Sequence, residues 1–344
     1  MSLGNLHNPK AAADLIANFR KRFSTKVCMA PQTDHSGGIV SAHTLSSQAV
    51  LSKLSVDGHV YAPNHSRHFS PDAHPIEIKR LGLRNVSVFN GFCVKHDAKL
   101  FSCIENEPFR FRREQCFMLA YRAVARACYL KRKQCESLPT PNEIRAIHGI
   151  DEQLIYSEYM LIHQAASLRG AEEVEGFKAQ LDGYLLNKAW DRLVTYAVLF
   201  PRTPNVVASF AFEPFHDMNG TQLQDYEDLS AEMSLLVVNL LPLEQGGAAI
   251  FSWLDSSNSA PRQFFNSVIN NNNLTCSVIH AVLDNSENFA FSPVWYEAHS
   301  EETKAYLFSR IALLEASITY SNQSRPDSSA PFLDDWGKGN VCQF

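Results

Sequence analysis

The chain has 344 residues, 45% of them apolar and 19% charged, enough to bury a core and too apolar for wholesale disorder. No apolar run reaches about 18 residues, so no transmembrane helix is expected, and the first residues lack the apolar segment and cleavage site of a secretory leader. The expected location is therefore cytoplasmic, with the eight cysteines present as thiols or metal ligands rather than disulfides. The net charge of −5 is unevenly spread: residues 1–135 hold 20 basic and 9 acidic side chains, residues 136–344 hold 11 and 27. A basic half suits a polyanionic partner, nucleic acid first. Electrostatic docking of one half on the other accounts for the same numbers.

In chain order, residues 9–26 read as a short helix with a basic end. Residues 27–100 hold seven of the thirteen histidines (His35, His43, His59, His65, His68, His74 and His96), many turn residues and no long periodic run. A small loop-rich unit of this kind needs a staple, usually a metal. Residues 36–43 and 57–62 read as short strands. Thr44–Leu54 has helical spacing, residues 63–90 read as an irregular insertion, and 94–105 as one helix. Residues 111–137 form a predicted amphipathic helix with Phe117, Ala120, Tyr121, Val124 and Cys128 on one stripe. Two long, acid-rich helices are expected over 142–168 and 171–199. Strands follow over 205–212, 234–241 and 248–253, then helices over 260–269, 274–288 and 300–316. Residues 321–344 read as a polar tail that frays.

Two pairs of soft ligands stand out. Cys28 and His35 are seven residues apart, and Cys93 and His96 three apart where a helix is predicted to begin. Thiolate and imidazole in such pairs suit a tetrahedral Zn²⁺. His43 ends a predicted strand and His59 begins the next. Asp97 follows His96 and on a helix projects about 100° round from it. An imidazole titrating near neutrality can take a proton from water, and a hard cation such as Mg²⁺ or Mn²⁺ on carboxylate or imidazole can stabilise a phosphorane.

The order Cys28, His35, Ala42-His43, Cys93-x2-His96-Asp97 resembles the zinc-stapled ββα-metal (HNH) endonucleases over residues 28–104. The resemblance implies Cys28, His35, Cys93 and His96 as zinc ligands, His43 as general base and Asp97 as catalytic-metal ligand, with His59 as a second ligand or phosphate donor. Ala42 stands where that family has an acid or a second histidine, and Asn64, Asn85 and Asn90 are the candidates for its middle asparagine. The phrases SAHTLSSQAVLSKLSVDGHVY and GFCVKHDAKLFSCIE also resemble uncharacterised bacterial proteins with an HNH-like N-terminal part, which implies a setting in bacterial defence or as a toxin effector.

Arg110, Arg112 and Arg113, interleaved with Phe109 and Phe111, together with Arg126, are the expected nucleic-acid contacts, since guanidinium binds phosphate and rings stack on bases. His216-Asp217 reads as a surface turn, His163 and His280 as core residues, and Cys116, Cys128 and Cys135 as packing. The expected fold is α+β: a basic zinc-stapled ββα or treble-clef module with a helical extension over 1–137, then an acidic domain of long helices and a small mixed α/β part over 138–320. The expected function is metal-dependent cleavage of nucleic acid. The alternatives are a non-catalytic zinc-containing module that binds nucleic acid or protein, and a regulatory subunit of a partner enzyme. The acidic part could bind a protein partner or a second copy.

Overall fold

A computed structural model describes residues 9–65, 76–147, 150–225, 228, 231–255, 259–316 and 331–344. His68, His74 and residues 321–330 of the expected tail lie outside these, as do the side chains of His65 and His163. The chain is a mixed α and β protein, as expected. Its helices are α1 (Pro9–Phe23), α2 (Val94–Leu100), α3 (Ser102–Glu105), α4 (Arg113–Ser137), α5 (Pro141–Ile147), α6 (Ile150–Asn187), α7 (Ala260–Ile269), α8 (Leu274–Leu283), α9 (Pro293–Ala298) and α10 (Glu301–Ala316). Its strands are β1 (Ile39–His43), β2 (His59–His65), β3 (Ile76–Gly82), β4 (Val88–Cys93), β5 (Leu193–Phe200), β6 (Val206–Phe212), β7 (Leu236–Pro242), β8 (Gly247–Leu254), β9 (Phe289–Phe291) and β10 (Asn340–Gln343).

Two sheets form. β1 and β4 make an antiparallel pair, with Val40 opposite Phe92 and His43 opposite Val88. The other eight strands form one antiparallel sheet in the order β10-β5-β8-β7-β6-β9-β2-β3. β7 and β8 are buried along their whole length, because the sheet is covered on both faces. Alternate residues go to opposite sides, as a period of two requires. Leu236, Val238 and Leu240 join one core with Ala249, Phe251, Trp253 and helices α7, α8 and α10. Val237 and Leu254 pack on the other side with α4 and α6. Continuous apolar strands need no parallel sheet when helices shield both faces.

Several expectations are corrected. The predicted helix over 171–199 ends at Asn187, and Leu193–Phe200 is strand β5. The break falls at Lys188, held at φ 53°, where a glycine would have announced a helix end. The two predicted acidic helices are one, α6. Gly170 lies inside it, beside the Lys131 side chain of α4, so that glycine does not mark a turn. The insertion read as irregular contains β3 and the start of β4. The predicted helix 94–105 is divided at the buried Phe101 into α2 and α3. Thr44–Leu54 holds only a short 3₁₀ turn, Leu51–Lys53.

The eight-stranded sheet also takes β2 and β3 from one side of residue 137 and its other strands from beyond it. The expected division at 137/138 therefore does not separate two sheets. The described part of the tail is packed. Leu333 and Trp336 are buried, the Trp295 indole donates to Leu333 O at 3.2 Å, and β10 pairs with β5.

His280 is a core residue, as expected. Its Nδ1 lies 2.8 Å from Cys276 O and its Nε2 2.7 Å from Tyr306 Oη. Burial, reinforced by the Arg310 guanidinium, pushes its pKa down to about 4. The unfolded chain therefore binds a proton that the folded one refuses. Stability from this group is complete above about pH 6.5 and is lost as pH falls toward 4, by up to about 3 kcal/mol. A His280→Asn variant should show a shallower loss of stability between about pH 7 and pH 4 than the wild type. Urea unfolding across that range tests it, and parallel curves would refute it.

Candidate metal centre

The stretch after α1 runs beside β4: Val27 N–H donates to Asn90 O at 3.2 Å and Met29 N–H to Gly91 O at 2.7 Å. This brings Cys28 to the end of β4, where the backbone N–H of Cys93 donates to Cys28 Sγ at 3.4 Å. Cys93 ends β4 with extended backbone and caps α2, so His96, three residues on, lies in the first helical turn beside it. His35 is delivered by a turn through Gly37. That residue has φ 72°, and a Cβ on it would come within 2.9 Å of Val94 Cβ; only glycine fits there without rearrangement.

Four ligand atoms converge. His96 Nδ1 stands 3.5 Å from Cys28 Sγ, 3.4 Å from Cys93 Sγ and 3.3 Å from His35 Nδ1. All four ligand atoms lie within 4.8 Å of one another. A tetrahedral Zn²⁺ with bonds of about 2.0–2.3 Å requires ligand-to-ligand edges of about 3.3–3.8 Å, so the donor set fits a metal ion in kind and in spacing. No other group of three or more His, Cys, Asp or Glu residues comes together in this way among the described residues. Burial opposes ionisation of Cys93, but backbone hydrogen bonds around His96 and Ser36 outweigh it and hold that thiol below its ordinary pKa. Burial pushes the Cys28 thiol up.

Sequence reasoning missed Asp34. Its Oδ1 lies 3.1 Å from His96 Nε2, and its other oxygen pairs with Lys95. These contacts, Lys95 first and His96 second, hold its carboxyl down at about 2. A carboxylate on the far nitrogen fixes the tautomer and leaves Nδ1 free to bind metal. The available signal was an acid directly before a candidate ligand, in Asp34-His35.

His43 is half-buried at the end of β1, with Nε2 3.3 Å from Leu83 O. A carbonyl only accepts, so Nε2 carries the hydrogen and Nδ1 is the basic nitrogen. Asp97 is half-buried on α2, and its Oδ1 is enclosed with no hydrogen-bond partner. Burial, with help from Glu105, raises the Asp97 pKa against the opposing fields of Arg122 and His43. Arg122, from the α4 stripe region, is 1% exposed. It donates to Glu105 Oε1 at 2.8 Å and lies 4.0 Å from the centroid of the Phe101 ring. Neither Glu105 nor Arg122 was foreseen at this edge. The His59 side chain is exposed, with Nδ1 2.7 Å from Asp57 O.

The expected arginine contacts divide. Arg110, Arg112 and Arg113 are exposed, and Arg112 pairs with Glu107. Arg126 does not join them. It is half-buried on α4, its Nε is enclosed without a partner, and burial, opposed by Glu287, lowers its pKa to about 10. Phe111 is stacked on Phe344 with centroids 4.6 Å apart and meets the edge of Phe109 at 4.9 Å, so its ring already has partners. His216 and Asp217 form a turn, with Asp217 Oδ1 accepting from Asn219 N and Thr221 N. Cys116 and Cys128 are buried, as packing predicts. No helix is long and apolar enough to cross a membrane among the described residues.

Comparison with family models, with curated proteins and with solved structures gave no match to this chain.

Removing the carboxylate that orients a metal-binding histidine typically weakens metal binding about 10–100-fold. Asp34→Asn should do so while Asp14→Asn, on α1, should not. Competition with a chromophoric chelator, using added Zn²⁺ or Co²⁺, measures it. Equal affinities would show that Asp34 does not orient His96.

Proposed function

We propose that Cys28, His35, Cys93 and His96 hold a structural Zn²⁺, so that β1, β4 and α2 form a zinc-stapled ββα unit, and that the His43–Asp97 edge of this unit hydrolyses phosphodiester bonds in nucleic acid. The observation that carries the reading is the state of His43. The Leu83 carbonyl holds it in the tautomer whose Nδ1 is free to accept a proton, and the Asp97 carboxylate lies near enough to feel its charge.

In this reading His43 Nδ1 takes a proton from water as the oxygen adds to phosphorus, and the ester P–O bond then breaks. Arg110 and Arg113 hold neighbouring phosphates. Asp97, with an enclosed and unpartnered Oδ1, is the residue that would hold Mg²⁺ or Mn²⁺. Such an ion supplies positive charge for the phosphorane and the departing oxygen. One carboxylate makes a weak Mg²⁺ site, since this ion dehydrates reluctantly.

A second reading, binding without cleavage, is favoured by Arg122. Its buried guanidinium faces Asp97 and Glu105 and already supplies part of the charge that a cation would bring.

Proton transfer by a positioned base contributes about 10²–10⁴-fold. His43→Ala should therefore lose nuclease activity by that factor while keeping its zinc content and its binding to a labelled oligonucleotide. Cleavage of plasmid and of single-stranded DNA and RNA with added Mg²⁺ or Mn²⁺ tests this. If wild type and variant bind equally and neither cleaves, the binding reading replaces the catalytic one.

Charge reversal at Arg110 and Arg113 should weaken binding to all sequences alike and reduce the slope of log affinity against log salt by about one per lost phosphate contact. Fluorescence anisotropy over a salt series measures it. An unchanged slope would place the nucleic acid elsewhere or remove it from the account.

A further inference from the structure

Behind the His43 edge, where the small sheet, α4 and the large sheet meet, lies a partly open cavity of about 20 Å³. It lies between Thr44 and Ser46 from the segment after β1, Arg122 of α4, and Asn239 and Leu241 of β7. Apolar walls surround it, but its polar members are unusual. Thr44 is 2% exposed, Arg122 1% and Asn239 2%. Thr44 Oγ1, Arg122 Nε and both side-chain atoms of Asn239 are enclosed without a hydrogen-bond partner. Other buried polar side chains of the sheet divide: Thr195 and Ser252 are matched at 3.1 Å, whereas Ser209 Oγ has no partner.

Four unpartnered polar atoms in one small space are far outside the usual pattern of buried groups, nearly all of which find a partner. The volume takes about one water molecule, which needs about 10–15 Å³ of such space and two to four polar partners. The partner chemistry also selects water over an ion. Arg122 already faces two carboxylates, Glu105 and Asp97, so the surroundings disfavour an anion. A guanidinium N–H in the wall disfavours a cation. The wall offers donors from Arg122 and Asn239, an acceptor from Asn239, and a hydroxyl that can do either.

We propose that this cavity is a binding site for a single internal water, held by Thr44, Arg122 and Asn239, which joins the segment directly after His43 to the large sheet. The inference does not depend on the nuclease reading. Thr44 is also anchored through its backbone, with its N–H donating to Ser87 O at 2.8 Å. The water therefore completes a junction in which backbone and side chain of the residue after His43 are both fixed.

The test uses isosteric removal of one partner. In Thr44→Val the hydroxyl becomes a methyl and little volume changes. If water fills the site, that substitution deprives it of a partner and the melting temperature falls by several degrees. If the cavity is dry, the substitution removes an orphaned hydroxyl from an apolar space and the melting temperature rises. The sign therefore decides, and a rise or no change overturns the proposal. Asn239→Leu, which fills the space with methyl groups, gives a second reading: a fall is expected because Thr44 and Arg122 lose their bridge, and a rise counts against it. A crystal structure of the full chain at high resolution should show one ordered solvent peak within hydrogen-bond distance of Thr44 Oγ1 and Asn239. Side chains re-paired around a dry space would overturn the assignment.

Discussion

Side-chain atoms of Cys28 and His35, more than sixty residues away, and of neighbouring Cys93 meet at one imidazole nitrogen, His96 Nδ1. The ring is 2% exposed, and its other nitrogen is held by Asp34, so it cannot turn away. This convergence fixes where the stretch after α1, the Gly37 turn, the end of β4 and the start of α2 stand relative to each other. His43 and Asp97 take their places from it. His43 sits in register opposite Val88 of β4, and Asp97 follows His96 on the same helical turn. Packing supports the same arrangement: Ala42, Phe89, Phe92, Leu100 and Phe101 of this unit share one buried core with α4 and α6.

Part of the charge asymmetry is met by internal pairing. Arg22 meets Glu143, Arg132 meets Glu175 and Lys131 meets Glu213, each pair joining the basic half of the sequence to the acidic half. Arg122 and Lys133 are buried among their partners. Exposed pairs of this kind contribute little each, typically about 0–1 kcal/mol. They show that the two halves of the sequence touch through opposite charges. What remains outward on the α4 approach is the short run Arg110–Arg113.

The clustering of Cys28, His35, Cys93 and His96 was legible because residues of these types are rare and their spacing carries meaning even without periodicity. The α4 stripe was legible because its apolar residues repeat at the helical period; Phe117, Ala120, Tyr121 and Val124 are indeed buried. The strands β6, β7 and β8 were legible as apolar runs. What escaped has physical reasons. β5 looks like a continuation of α6 because the break rests on a lysine in the left-handed region rather than on a glycine. β3 and β4 lie in turn-rich sequence, and their pairing partners are remote. Glu105 and Arg122 act through tertiary contacts that no local spacing reveals, and for Asp34 the adjacency to His35 was the one local hint. The packed segment 331–344 owes its order to Trp336 and Leu333, two buried apolar side chains in an otherwise polar stretch.

The position of β2 has a consequence for synthesis. The two metal-ligand pairs lie within the first hundred residues, and the segment between them must leave the small sheet, form β2 and β3, and return. β2 finds its neighbour at Tyr61 opposite Phe291, about 230 residues further along the chain. Contacts so distant in sequence close late and slowly. The ligand cluster can therefore assemble on the ribosome while the open edge of β2 still waits for the strand that will cover it. During that interval the β2–β3 ribbon is an unpaired sheet edge, and unpaired edges invite association with other chains. β3, which remains at the end of the finished sheet, carries Glu77, Lys79 and Arg80, charges of the type that discourage pairing at its own free edge.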